Sequence, residues 1–406
     1  MTYSRRDFGK LTLAALPAAT WMGNPRWGLD GAAQTVKPNS MFGGVQIGAI
    51  SYCFRQISYS PEDVLEGMVF LGLNTVELEQ SFFEHYLGAP PDPTGGGQPA
   101  GVGRVPAGGP FGIRSSNAPP PDQVPSTGLG APGRTANAGA AGAAQGGADP
   151  AQAGGGRAGG GQGGRGGGGT GGGGRGQMTP EQDAALKAVR ADLKKWRMSA
   201  PMDKARALRR MYDDAGVEIR LIKFPQLGGP EMTDEEVDYC FLLAKTMNAR
   251  GITCEPPVSS AKRVAKFADK HKVIVGYHGH SNATGVENFG RTGAWEQVFF
   301  YSKNNWANVD IGHFMAGNSF PATDFIREYH DRITNIHLKD RKTGLNGGAN
   351  LPWGQGDTPI KETLQVMKRE KYTFPAMIEL EYAVPAGSSV MDELVKCVQY
   401  CKDALA

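Results

Sequence analysis

Cysteine is scarce in this chain and poorly spaced for a framework. Cys53, Cys240, Cys254, Cys397 and Cys401 are odd in number and contain no Cys-x-x-Cys pair, which argues against a disulfide-built fold or a zinc knuckle. Cys397 and Cys401 stand four apart, as two small apolar residues sharing one helix face do. An excess of one charge is missing too. Lys and Arg number 43 against 40 Asp and Glu, a formal net charge of +3. Nucleic acid is therefore not the expected partner, because phosphate binding needs a basic face. Beyond the N-terminus there is no long uncharged apolar run, so no membrane span is expected. Glycine is the exception, with 59 residues, many of them crowded into one stretch.

The first residues carry an address. Ser4-Arg5-Arg6-Asp7-Phe8-Gly9-Lys10, then Leu11-Thr12-Leu13-Ala14-Ala15-Leu16, resemble a twin-arginine export signal over residues 1–33. Gly31-Ala32-Ala33 offers a cleavage site, and Gly9 stands where a bulkier apolar residue is common. An ordinary secretory signal is the alternative. Either reading makes the protein periplasmic or otherwise exported; the twin-arginine route carries folded proteins, so a metal can be loaded first. Residues 88–177 are rich in Gly, Ala and Pro, including Gly166-Gly167-Gly168-Gly169, and cannot bury enough apolar surface to fold. They read as a disordered insertion.

Without these two segments the chain alternates short β-branched runs with amphipathic stretches. The runs are Val45–Ile50, Thr75–Leu78, Glu218–Ile222, Gly251–Cys254, Val273–Tyr277, Ala307–Ile311, Ile333–Leu338 and Ala376–Leu380. Helical patterns between them include Pro61–Leu71, Thr233–Met247, Ser260–Lys270 and Ile360–Glu370. Eight runs alternating with helices predict a parallel (β/α)8 TIM barrel over residues 41–406, with the insertion in the loop after the second strand.

Reactive side chains of such a barrel gather at the C-terminal ends of its strands. Four of the seven histidines fall there. The fifth run ends Tyr277-His278-Gly279-His280; the sixth reads Asp310-Ile311-Gly312-His313; the seventh, His337-Leu338-Lys339-Asp340; the eighth, Glu379-Leu380-Glu381. Imidazoles and carboxylates together suit Mn²⁺, Fe²⁺, Co²⁺ or Zn²⁺. Each pattern alone is a weak signal, and one or two such histidines would pass as satisfied core residues. The succession HxH, DxxH, HxK, ExE is the strong one.

These elements resemble those of the xylose-isomerase-like sugar isomerase/epimerase superfamily, over about residues 43–87 and 179–400. Tyr277-His278-Gly279-His280 is similar to the YHNH element of one branch, His337–Asp340 to its HLKD element, and Gly354-Gln355-Gly356-Asp357 to its GxGD loop. The resemblance implies one divalent ion, often Mn²⁺, held by Asp310, His337 and Glu379 with His278 or His280 as the fourth ligand. It also implies a departure. Ketose epimerases of the superfamily place a second glutamate on the fifth strand, and here that position is His278. Glu255, ending the fourth run, is a substitute, although Pro256 and Pro257 fit a loop turn equally well.

Glu379 is the first candidate for a general base as well as a ligand, with Glu381 on the same strand face. His313 is expected to touch a substrate hydroxyl or act as an acid, and Lys339 to stabilise an oxyanion; pairing of Lys339 with Asp340 is the blander alternative. His280, Glu77 and Trp353 are candidate substrate contacts. The reaction expected is isomerisation or epimerisation of a sugar by proton transfer. The alternative is a lyase or hydrolase of 3-keto-glycosides, in which one base suffices. A non-catalytic carbohydrate-binding barrel and an endonuclease of the DNA-repair branch fit less well. The ligand set is too complete for the first and too small for the second.

Overall fold

The computed structural model describes residues 37–90 and 179–406. The expected export signal and residues 91–177 of the expected insertion lie outside the described residues. A short strand β1 (Met41–Phe42) turns through Gly43-Gly44 and pairs antiparallel with β2 (Val45–Ile50). Then follow β3 (Thr75–Glu79), β4 (Glu218–Lys223), β5 (Gly251–Cys254), β6 (Ile274–His278), β7 (Asn305–Asp310), β8 (Ile333–Leu338) and β9 (Ala376–Ile378). From β2 onward each strand runs parallel to the next, and β9 pairs back onto β2. The result is a closed eight-stranded parallel barrel, whose eight strands each pair on both sides.

The helices are α1 (Pro61–Phe70), α2 (Gln80–Leu87), α3 (Pro180–Arg197), α4 (Met202–Asp214), α5 (Asp234–Thr246), α6 (Ala261–His271), α7 (Thr292–Tyr301), α8 (Ile311–Asn318), α9 (Thr323–Glu328), α10 (Ile360–Glu370) and α11 (Val390–Leu405). Their starts follow local chemistry. Ser60 caps α1 ahead of Pro61, and Thr233 with Glu236 and Ser389 with Asp392 form capping boxes on α5 and α11. Among the described residues no helix is long and apolar enough to cross a membrane.

The eight expected runs are the eight barrel strands, with small shifts that have causes. β7 stops at Asp310 rather than Ile311, because the Asp310 side chain accepts from the His313 amide and opens α8. The second strand is followed not by a loop but by α2, whose Phe82 and Phe83 are fully buried. That helix ends on Gly88.

Candidate metal centre

Four successive strands bring their last polar residues to one side of the barrel mouth. His278 ends β6, Asp310 ends β7, His337 lies in β8 and Glu379 follows β9. All four are buried, and one donor atom from each lies within 4.8 Å of the others. Parallel pairing sets this convergence: Asp310 is registered beside His337, and Glu379 donates its amide to the Leu338 carbonyl at 3.0 Å.

What the cluster lacks is a full set of hydrogen bonds. His278 Nδ1, Asp310 Oδ2, His337 Nδ1 and Glu379 Oε2 are buried atoms with no hydrogen-bond partner, one from each residue. His337 Nδ1 and Glu379 Oε2 approach to 2.9 Å, but outside hydrogen-bond geometry. Leaving such atoms unsatisfied costs about 1–3 kcal/mol each. Two nitrogens and two carboxylate oxygens that converge without a hydrogen bond, the oxygens with the Lys339 ammonium nearby at 3.0 and 3.3 Å, fit a divalent cation of the Mn²⁺ to Zn²⁺ series.

The other atoms of these residues are committed to holding them in place. Asp310 gives Oδ1 to the His313 amide at 2.7 Å, which leaves Oδ2 facing the cluster. The Asp-x-x-His spacing is thus a helix cap that presents both side chains at once. His337 turns Nε2 toward Glu77 Oε2 at 2.8 Å. Glu77 is in turn fixed by Thr253 Oγ1 at 2.6 Å and Asn335 Nδ2 at 2.7 Å. A proton kept on Nε2 by Glu77 leaves the Nδ1 lone pair for an ion, the usual arrangement behind a metal-binding imidazole.

Charge in the cluster is tightly coupled. Burial opposes a charge on His337, yet the carboxylates of Glu77 and Glu379 push its pKa up to about 10. Burial, with help from Glu379, raises Asp310 to about 6 against the pull of Lys339. Burial also works against ionised Glu379, but Lys339 and His337 hold it well below the usual carboxylate range. His278 is pressed well below the usual imidazole range by burial and by nearby Lys223, so it is neutral and available as a ligand.

Around the quartet lies a second layer of polar groups. Lys339 Nζ sits 2.8 Å from Glu381 Oε2 and 2.9 Å from His313 Nε2. Arg341 faces the other nitrogen of His313. Burial, then Lys339, keeps His313 well below its ordinary pKa, and a neutral imidazole can accept from only one of its two cationic neighbours. His280 pairs with Glu255, whose other oxygen meets Lys223 Nζ at 2.7 Å. The His280 ring is 4.9 Å from that of His278 and 4.7 Å from that of His313, and these three form a second group able to hold an ion. Burial raises Glu79, near Lys223 on the same side, to about 7.

Two loops are tied to the site by glycine. A side chain at Gly279 would strike Trp295 and the Phe289 carbonyl, which accounts for Gly where the resembled element carries Asn. Asp340 accepts from the amides of Gly354 at 2.7 Å and Gly356 at 2.9 Å, so the HLKD and GxGD elements are one unit. A Cβ at Gly356 would overlap the Asp340 carboxylate.

Of the residues expected from sequence, the structure gathers His278, Asp310, His337 and Glu379, with Lys339, His313 and His280 beside them. Two have packing or hydrogen-bond partners of their own. Glu77, expected to meet substrate, is fully buried beneath His337 with both oxygens taken. Trp353 packs perpendicular to Tyr400 of α11, ring centroids 5.6 Å apart. Lys339 pairs with Glu381 and not with Asp340. The sequence reading missed Lys223 and the supporting roles of Thr253 and Asn335; their one signal was polarity at otherwise buried strand positions.

Residues 184–399 match the model of a family described as a xylose isomerase-like TIM barrel. No curated protein matches the sequence. Among solved structures, a xylose isomerase domain protein from Planctomyces limnophilus is 16% identical over 50% of this chain and 82% of its own, with a TM-score of 0.40. The probable 3-DHS dehydratase AsbF from Bacillus anthracis is 10% identical over 87% of this chain and 97% of its own, TM-score 0.48. The IOLI protein with a bound zinc atom is 12% identical over 53% and 84%, TM-score 0.41.

Proposed function

The chain belongs to the xylose isomerase-like TIM-barrel family, and from that premise we propose that it is an exported, metal-dependent sugar isomerase or epimerase. The observation that carries the reading is the set of four buried donor atoms, one per strand end, that no hydrogen bond satisfies. His278, Asp310, His337 and Glu379 would hold the ion, with Mn²⁺ the first expectation and Zn²⁺, Co²⁺ or Fe²⁺ compatible. When bound, such an ion polarises a carbonyl or hydroxyl oxygen and makes the neighbouring C–H more acidic.

The surrounding residues then divide the proton work. Glu379, ionised in its place beside Lys339, can take a proton from the substrate carbon. Lys339 can donate to the oxygen on which negative charge develops. His313 is neutral, with Lys339 at one ring nitrogen and Arg341 at the other, and holds these two cations at the site. His280, oriented by Glu255, is partly exposed where His278 is buried. The substrate is a small sugar or glycoside, and the Ser4–Lys10 stretch supports action outside the cytoplasm.

A second reading is favoured by one feature. The position where a paired glutamate would stand is His278, and His278 is already part of the donor quartet. Elimination from a 3-keto-glycoside needs only one carbon base, so a lyase is the competitor. Incubation of the Mn²⁺-loaded protein in D₂O with free aldoses and ketoses, and separately with 3-keto-glucosides, tests both by NMR. The isomerase reading expects deuterium beside the carbonyl of a free sugar with no bond broken. Aglycone release from the keto-glycosides alone would overturn it in favour of the lyase.

A further inference from the structure

The Lys339 ammonium is shared among more acceptors than it can serve. Its Nζ lies 3.0 Å from Asp310 Oδ2 and 3.3 Å from Glu379 Oε2, as well as 2.8 Å from Glu381 Oε2 and 2.9 Å from His313 Nε2. An ammonium has three protons for these four partners. Asp310 Oδ2 and Glu379 Oε2 are also two of the four converging donor atoms. A divalent ion binds carboxylate oxygen at about 2.0–2.2 Å. An ion so placed and an ammonium at 3 Å from the same two oxygens repel each other strongly in a buried site. Both cannot keep those oxygens.

The side chain has somewhere else to go. Glu381 and His313 already lie within reach of Nζ, and Glu381 is the more solvent-exposed of the two glutamates, at 13% against 4%. Lysine's four-carbon stem permits such a shift without backbone change. We infer that Lys339 is the counter-cation of Asp310 and Glu379 in the metal-free protein and yields those oxygens to the incoming ion, withdrawing onto Glu381 and His313. Metal loading thereby delivers the ammonium to the substrate side of the site. Lys339 is a positioning residue toward the metal before it is an electrostatic one toward the sugar. This rests on the metal-binding part of the proposed function.

The test is calorimetric titration of Mn²⁺ into chelator-treated wild type, Lys339→Met, Glu381→Gln and the double variant. Removing the competing cation makes Lys339→Met bind about tenfold or more tightly than wild type, although the ligands themselves are untouched. Glu381→Gln removes the berth to which the ammonium withdraws, so its affinity falls by about tenfold. The double variant matches Lys339→Met within about threefold, because the Glu381 effect acts through Lys339. The melting temperature of metal-free Lys339→Met drops, and Mn²⁺ raises it more than in wild type. Should Lys339→Met not fold, Lys339→Gln serves the same comparison. Unchanged or weaker Mn²⁺ binding in the Lys339 variant overturns the inference alone, as does a Glu381 effect that persists in the double variant. Wild type that takes up no Mn²⁺ overturns the metal reading and this inference together.

Discussion

Two buried ionic clusters in this barrel use the same chemistry toward opposite ends. The first joins α2, α3 and α5. Arg197 holds Glu84 through two parallel contacts at 3.0 and 3.1 Å and Glu236 through a third at 3.1 Å. Gln80 adds a bond to Glu84 at 2.8 Å, and the second oxygen of Glu236 caps Thr233. None of the three charged side chains has a buried atom without a partner. The second is the strand-end cluster, where four buried atoms lack one. Burial of charge is costly in both; the first meets that cost with a complete set of hydrogen bonds, and the second only in part, through Lys339 and Glu77. A closed cluster fastens helices, here those on either side of residues 91–178. An open one has donor atoms left over that could hold a cation.

The difference can be broken from either side, and the largest effect belongs to the open cluster. Asp310→Ala and Glu379→Ala should each lower turnover of whichever sugar the protein accepts by on the order of a thousandfold, since ion and base are lost together. Circular dichroism should show the barrel intact. Arg197→Met is the matching change in the closed cluster. It strands two buried carboxylates, at about 3–5 kcal/mol, and should lower the melting temperature by roughly 10 °C. Metal content per folded molecule should stay unchanged. Loss of metal in Arg197→Met would mean that the two clusters are not independent.

Glu77→Gln sharpens the comparison further. It keeps the volume but weakens the hold on His337, so Mn²⁺ affinity should fall about 10–100-fold with little change in fold. A loss of substrate affinity without loss of metal would return Glu77 to the sugar site. The smallest expected effect is on pH. His337 has a pKa raised to about 10 in the metal-free protein, against an ordinary 6.5. The stability this contributes is fully present below pH 6.5 and is lost as pH rises toward 10. Melting temperatures of the metal-free protein should therefore decline by a few degrees across that window. The Mn²⁺-loaded protein should show a flatter profile, because a bound ion requires Nδ1 to be unprotonated.

Much of this was legible in the amino-acid sequence, for physical reasons that also mark the limits. All eight strands could be placed because buried parallel strands read as short β-branched runs. A barrel sends strand ends to one face, so HxH, DxxH, HxK and ExE could be expected to meet; which residues form the quartet came from the family resemblance, which left His278 or His280 open as the fourth. Glu77 was harder. It lies 260 residues from His337, and nothing local to β3 distinguishes a carboxylate that meets substrate from one that steers an imidazole. Lys223 was passed over for the same reason: its partners Glu79 and Glu255 come from neighbouring strands, and only the closed sheet brings the three together. Trp353 was read by residue type, and its ring contact with Tyr400 on the last helix was not visible in sequence. Periodicity finds elements and strand ends; pairing across the barrel decides what each polar atom has left to offer.

The most direct test of the central claim is metal analysis of purified wild type beside Asp310→Ala, His337→Ala and Glu379→Ala after equilibration with Mn²⁺. The account predicts stoichiometric metal in wild type and little in any of the three. Metal content unchanged in all three variants, or none in wild type, would contradict it.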